Sequence, residues 1–284
     1  MNFPFPIVDA HVHFWNPAKF NYPWLARVPA LQRTFLPEDY SAATRTANVG
    51  KLVFVECGCA ASQSIDEAKW ISEIAIRETR LKGIVAQASV EWGARVKDEL
   101  ETLAKNPLVK GVRRNLQGET DVNFCLEPSF ITGVCAVAKN NFTFDLCILP
   151  HQMQAATQLV ARCPEVFFIL DHGAKPAIRN KQLDPWRKHL RELAALPNVA
   201  CKISGLVTEA DPAHCSAPDL QPYVAHALDC FGFDRVLFGG DWPVCQLATT
   251  YENWLATLEA IVADETETNL KKLFQTNAER IYRV

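Results

Sequence analysis

Eight short apolar runs, each followed by a longer stretch with helical patterning, fill this chain from one end to the other. The runs cover residues 7–14, 51–57, 83–90, 109–115, 143–149, 166–172, 199–204 and 235–240. Most are continuously apolar instead of alternating with polar residues, which is how strands read when both of their faces are covered. Between them, residues 37–48, 62–79, 94–105, 129–139, 152–163, 184–196, 218–230 and 251–263 carry the apolar spacing of helices. Ser62 and Ser129 are the expected N-caps and Pro218 an expected first-turn residue. Strands alternating with helices specify a parallel sheet covered by helices. Eight such pairs within 284 residues predict an α/β fold, a single (β/α)8 TIM barrel domain over residues 1–284, and no linker-like segment interrupts the alternation. Residues 268–282 add a C-terminal helix, expected to pack across the outside. The competing architecture is an open doubly wound sheet, which calls for a GxGxxG turn after the first strand; the sequence there reads Asp9-Ala10-His11-Val12-His13.

Composition narrows the partners. Lys plus Arg number 29 against 32 Asp plus Glu, a net charge of −3 with no basic cluster, so nucleic acid is not an expected partner. Apolar runs such as 134–138 and 166–170 fall far short of the ~20 residues of a membrane helix. No basic residue precedes Lys19, and Pro4 and Pro6 interrupt the start, so a secretory signal is not expected and the reading is cytoplasmic. Oligomeric state is left open, a homo-oligomer being compatible with it. Ten cysteines dispersed from Cys57 to Cys245 read as reduced thiols, and the Cys57/Cys59 pair has no second pair to complete a four-ligand zinc site.

The residues with chemical potential gather at strand ends. His11 and His13, two apart on the first strand, project to one face, and neutral imidazole is a good ligand for zinc and similar ions. His172 ends the sixth strand and Asp241 follows the eighth. Barrel active sites are built at the C-terminal ends of the strands. An Asp after an apolar run is costly to bury unless it is paired or holds a metal. His11, His13, His172 and Asp241 are therefore the candidate metal set, with Asp241 and His172 as candidate catalytic groups. Arg113 and Arg114 end the fourth strand, and parity lets only one face inward; Arg113 is preferred, to bind a substrate carboxylate or an oxyanion. Glu56, His151 and Trp242 complete the candidate substrate contacts, with an ion pair to an arginine the alternative for Glu56 and core packing for Trp242. Trp15 and Trp24 are further candidates to stack on a sugar ring, and Lys202 is read as a structural ion pair deep in the barrel.

The same residues sit in an ordered series of motifs. They are Asp-Ala-His-Val-His-Phe-Trp at 9–15, Leu-Asp-His-Gly at 170–173 with Lys175-Pro176, and Lys-Ile-Ser-Gly-Leu at 202–206. Phe-Gly-Gly-Asp-Trp-Pro-Val at 238–244 and Asn-Ala-Glu-Arg at 277–280 close the series. In this order the chain resembles the amidohydrolase superfamily, in its branch of sugar-lactone hydrolases of the L-fuconolactonase and L-rhamnonolactonase kind. The resemblance implies a (β/α)8 hydrolase whose centre is His11, His13, His172 and Asp241. Members with two metals carry a strand-four lysine that bridges them, whereas Lys110 lies at the entry of that strand, so one divalent ion, zinc, is expected. The implied reaction opens a sugar-acid lactone to its aldonate, with Asp241 taking the proton of the attacking water and returning it to the ring oxygen. Without a metal, the histidines would polarise the carbonyl by hydrogen bonding. A nonoxidative decarboxylase of the same superfamily and a non-catalytic barrel that binds a sugar acid are the alternatives.

Overall fold

A computed structural model describes residues 3–213 and 215–284. The eight apolar runs form β1 (Ile7–Val12), β2 (Val49–Val55), β3 (Leu81–Gln87), β4 (Val109–Arg113), β5 (Thr143–Leu146), β6 (Phe168–Leu170), β7 (Val199–Ile203) and β8 (Val236–Phe238). All are parallel and lie in the order of the sequence. The sheet closes just past β8, where Asp241 N donates to His11 O and His13 N donates to Trp242 O, both at 2.8 Å. The result is a (β/α)8 barrel. Several observed strands stop short of the apolar runs, because the residues beyond the ladder stay buried at the barrel mouth and keep an apolar sequence without pairing.

Helices α1 (Pro37–Ala43), α2 (Ser64–Ala75), α3 (Lys97–Ala104), α4 (Pro128–Val137), α5 (Met153–Arg162) and α6 (Trp186–Ala194) cover the first six strands. A short α7 (Leu206–Glu209) and α8 (Ala217–Phe231) follow β7, and α9 (Tyr251–Ile261) follows β8. The caps differ from expectation. Ser64 opens α2 after a 3-10 turn at Ala61–Gln63, and α4 is capped from Glu127 with Pro128 in its first turn. Pro218 does lie in the first turn of α8, after Ser216 at the N-cap. Among the described residues, no helix is long and apolar enough to cross a membrane.

The barrel interior is lined low down by Val8, Ala10, Val53, Val55, Val85, Ile169, Ala200 and Leu237. The C-terminal segment closes this end instead of crossing the outside. After α10 (Glu267–Lys271) and a π-helical turn, α11 (Asn277–Tyr282) presents Ala278, Ile281 and Tyr282 to the interior cluster. Apolar positions at helical spacing show that a face is buried but not which end of a barrel it covers.

Candidate active site

The first strand is irregular, and that irregularity shapes the site. Its pairing with β2 shifts register between Asp9 and Val12. Val8 and Ala10 face the interior, whereas Asp9 turns outward, accepting from Tyr40 Oη of α1 at 2.9 Å and from Gly240 N at 2.8 Å. Past the shift, His11 and His13 both reach inward, their Nε2 atoms 3.2 Å apart. His13 Nδ1 donates to Val55 O at 2.8 Å, so its Nε2 carries a lone pair into the site. One proton of His11, or one cation, joins the two rings. Asp241 Oδ1 lies 3.7 Å from His11 Nε2 and 3.5 Å from His13 Nε2. His172 lies beside His11 at a ring separation of 4.6 Å, the rings tilted by 53°, and its Nδ1 is 2.9 Å from Ser204 Oγ.

His172 and Asp241 reach this point by taking left-handed backbone, with φ of 54° and 52°. His172 begins a run of four such residues through Lys175, held by Trp186 Nε1 donating to Gly173 O at 2.7 Å. Non-glycine residues avoid this region at a cost of roughly 1–3 kcal/mol each and stay there only where the surroundings enforce it, typically at functional sites. Gly205, at φ +61°, lies against both side chains: a Cβ there would meet His172 Nδ1 at 2.5 Å and Asp241 Oδ2 at 2.8 Å.

Beneath the histidines runs a buried ion network. Lys202 of β7 contacts Asp145 at 2.8 Å, Asp171 at 2.9 Å and His11 Nδ1 at 3.2 Å. Tyr282 donates to Asp145 at 2.7 Å, tying α11 to the floor. Arg113 Nε donates to Glu56 at 2.6 Å and its Nη1 to Asp171 at 3.0 Å. Burial opposes ionisation of Asp171, but Lys202, His11 and Arg113 outweigh it and hold that carboxyl well below the usual range. Burial lifts Asp145 to about 6 in spite of Lys202. Burial holds His11 well below its ordinary value and His172 down to about 4. Asp241 is likewise penalised by burial, yet His172 first, with His13 and His11 around it, holds its carboxyl well below the carboxylate range.

These directions define a donor set: neutral imidazoles facing an ionised carboxylate. In the floor, the cations Lys202 and Arg113 stand against the carboxylates Glu56, Asp145, Asp171 and Asp241, which leaves an excess of negative charge. Ligand atoms of His11, His172 and Asp241 lie within 4.8 Å of one another. Neutral nitrogen and carboxylate oxygen donors at an electronegative floor suit one divalent cation such as zinc. Lys110, at the entry of β4, is half-buried beside the C-terminal residues and reaches no part of this cluster.

Above the cluster opens a cavity of about 190 Å³, with His13, His172 and Asp241 at its floor and Trp15, Trp24, Asn115, Gln117, Cys147 and Lys175 in its wall. Arg113 and Glu56 also reach it, but chiefly satisfy each other. Three expected contacts lie elsewhere. Arg114 is turned away by strand parity and is paired with Glu91 and Glu119 at 2.9 and 2.7 Å. His151 is exposed on the 3-10 turn Pro150–Gln152, because the chain leaves the barrel rim at Pro150. Trp242 is fully buried among Phe14, Phe35 and Tyr40, where its backbone, not its ring, serves the site. The sequence carries no signal for Asp145, hidden inside an apolar strand, and shows Asp171 and Lys175 only as parts of motifs. Lys175 reaches the cavity because the left-handed run redirects it, and its Nζ is 3.7 Å from Glu209. Asn115 and Gln117 could have been found by continuing the inward parity of Arg113.

Comparison with known proteins agrees with this geometry. The amidohydrolase family pattern matches residues 8–284. The chain is 34% identical over 265 residues to an L-fucono-1,5-lactonase of Burkholderia multivorans, covering 89% of this chain and 87% of that protein. It is 30% identical over 256 residues to an L-fucono-1,5-lactonase of Burkholderia ambifaria, covering 89% and 86%. Among solved structures, an amidohydrolase from Burkholderia multivorans with bound zinc superposes with a TM-score of 0.89 at 30% identity, covering 99% of this chain and 100% of that one. With a family match across nearly its whole length and relatives at this level of identity, the chain belongs to the amidohydrolase family.

Proposed function

We propose that this chain is a lactonase that opens a sugar-acid lactone to its aldonate, with Asp241 as general base beside one divalent metal ion, zinc. The observation that carries the reading is the convergence of His11, His13, His172 and Asp241 on one point, the last three of them at the floor of one cavity. The lactonase relatives and the zinc-containing amidohydrolase support it. Zinc held by these four residues would supply Lewis acidity, polarising a carbonyl and lowering the pKa of a nearby water toward about 7.

The protein's own groups do the rest. Asp241, ionised and buried, accepts the proton of the attacking water and delivers it to the departing ring oxygen. His172, kept neutral by burial and oriented by Ser204, presents its other nitrogen to the centre, where it would hold the metal or, without one, hydrogen-bond the carbonyl as charge develops. Trp24 offers a flat apolar face for the ring, fixed by its Nε1 donating to Cys57 O at 2.7 Å, with the buried Trp15 packed edge-on against it. Asn115, Gln117 and Lys175 are placed to receive the hydroxyls.

The test is a panel of five- and six-membered sugar lactones followed by proton release, before and after metal stripping. Turnover of at least one lactone, lost on stripping and restored by zinc, is expected. A panel left wholly intact, with carbon dioxide released from carboxylated aromatics instead, would overturn the reading in favour of a decarboxylase. Asp241→Asn should lower kcat by about 10²–10⁴ with the fold intact by circular dichroism. Unchanged kcat would remove Asp241 as the base.

A further inference from the structure

All ten cysteines are free thiols, and two of them stand apart from the rest by their placement. Cys135 lies near the end of α4 and Cys163 directly after α5, with their Sγ atoms 2.8 Å apart. They are the one pair of thiols in hydrogen-bond contact among the described residues. A disulfide spans ~2.05 Å, so less than about 1 Å of movement separates this contact from a bond. The two sulfurs also differ in access. Cys135 is partly open to solvent, whereas Cys163 is 1% exposed. Neither lines the cavity above the histidines.

We propose that Cys135 and Cys163 form a redox-modification site that closes to an intrachain disulfide on meeting a low-molecular-weight disulfide such as oxidised glutathione. The accessible Cys135 loses its proton and its thiolate attacks one sulfur of the reagent; the reagent's S–S bond breaks, one small thiolate leaves and takes up a proton, and a mixed disulfide remains on Cys135. Cys163 then gives up its proton and attacks Cys135 Sγ, releasing the second small thiol. Two protein thiols are oxidised by two electrons and one small disulfide is reduced to two thiols. Burial and the neighbouring Cys135 thiol hold the Cys163 thiol above its ordinary value, so closure is the slower step and speeds up as pH rises. The bridge encloses residues 136–162 and with them β5, and it shields the exposed sulfur from irreversible oxidation.

The experiment incubates the full-length reduced protein with glutathione at graded oxidised-to-reduced ratios, quenches it with acid, alkylates it and maps peptides without reduction. The expected result is a linked Cys135–Cys163 peptide pair, two fewer alkylable thiols and a Tm higher by roughly 5–10 °C that reverts with dithiothreitol. Cys135→Ser should show neither linked peptide nor Tm rise. Cys163→Ala should stop at a glutathione adduct on Cys135. The proposal is overturned if wild-type Cys135 stops at that adduct at every ratio, if the linked peptide joins other cysteines, or if the Tm rise persists in Cys135→Ser.

Discussion

Gly205 shows how closely single residues constrain this site. Its backbone is left-handed and its missing side chain is the space that His172 and Asp241 occupy. Gly205→Ala adds one carbon and should displace both, lowering kcat by about 10²-fold or more at a stability cost of roughly 1–3 kcal/mol. Steady-state kinetics and urea unfolding of the same preparation measure the two effects; unchanged kcat would show that the neighbours relax around the methyl group. His151 provides the contrast. It is exposed and outside the cavity, so His151→Ala should leave kcat/KM within twofold of wild type. A tenfold loss would return it to the substrate contacts from which the structure removes it.

Among the elements, β7 and the two residues that follow it join structure to chemistry most directly, with Lys202 in the floor, Ser204 against His172 and Gly205 beside them. Lys202→Met removes the cation that Asp145 and Asp171 share at zero exposure. Breaking a buried pair from one side costs about 3–5 kcal/mol because the remaining charges stay desolvated, and urea unfolding should show a loss of that size. The strand starts were legible in the sequence because buried parallel strands read as continuous apolar runs, and parity on β4 correctly sent Arg113 inward and Arg114 out. The grouping of His11, His13, His172 and Asp241 was legible because each lies in the last part of an apolar run or just past it. Asp145 and Asp171 were not, since an acid inside such a run is affordable only with partners from other strands, and those partners appear only after the sheet has closed. The register shift in β1 was equally hidden: Asp9, His11 and His13 share one parity, yet Asp9 faces the helices.

On the scale of the molecule, one buried carboxyl ties stability to pH. Glu67 of α2 is 1% exposed, facing Tyr22, Glu56, Cys57 and Cys59, with Arg113 beyond. Burial, then the neighbouring Glu56, pushes it up to about 8. Between the ordinary value of 4.5 and about 8, the folded chain keeps this proton and the unfolded chain has lost it. The contribution of Glu67 is therefore full below pH 4.5 and falls as pH rises to about 8, with a slope of up to about 1.4 kcal/mol per pH unit. Urea unfolding at steps between pH 6.5 and 8, above the ordinary value of the buried histidines, should show that decline in the wild type and a flatter profile in Glu67→Gln. Equal slopes would exclude Glu67 as the source. The closure of the sheet has a wider consequence. The two backbone bonds that stitch the cylinder shut belong to His11, His13, Asp241 and Trp242, so the seam and the proposed reaction centre are one place. A nascent polypeptide released before Asp241 has neither a closed sheet nor the carboxylate of the proposed metal set, and in the finished molecule any fraying between first and last strands pulls those four residues apart before the remaining wall melts.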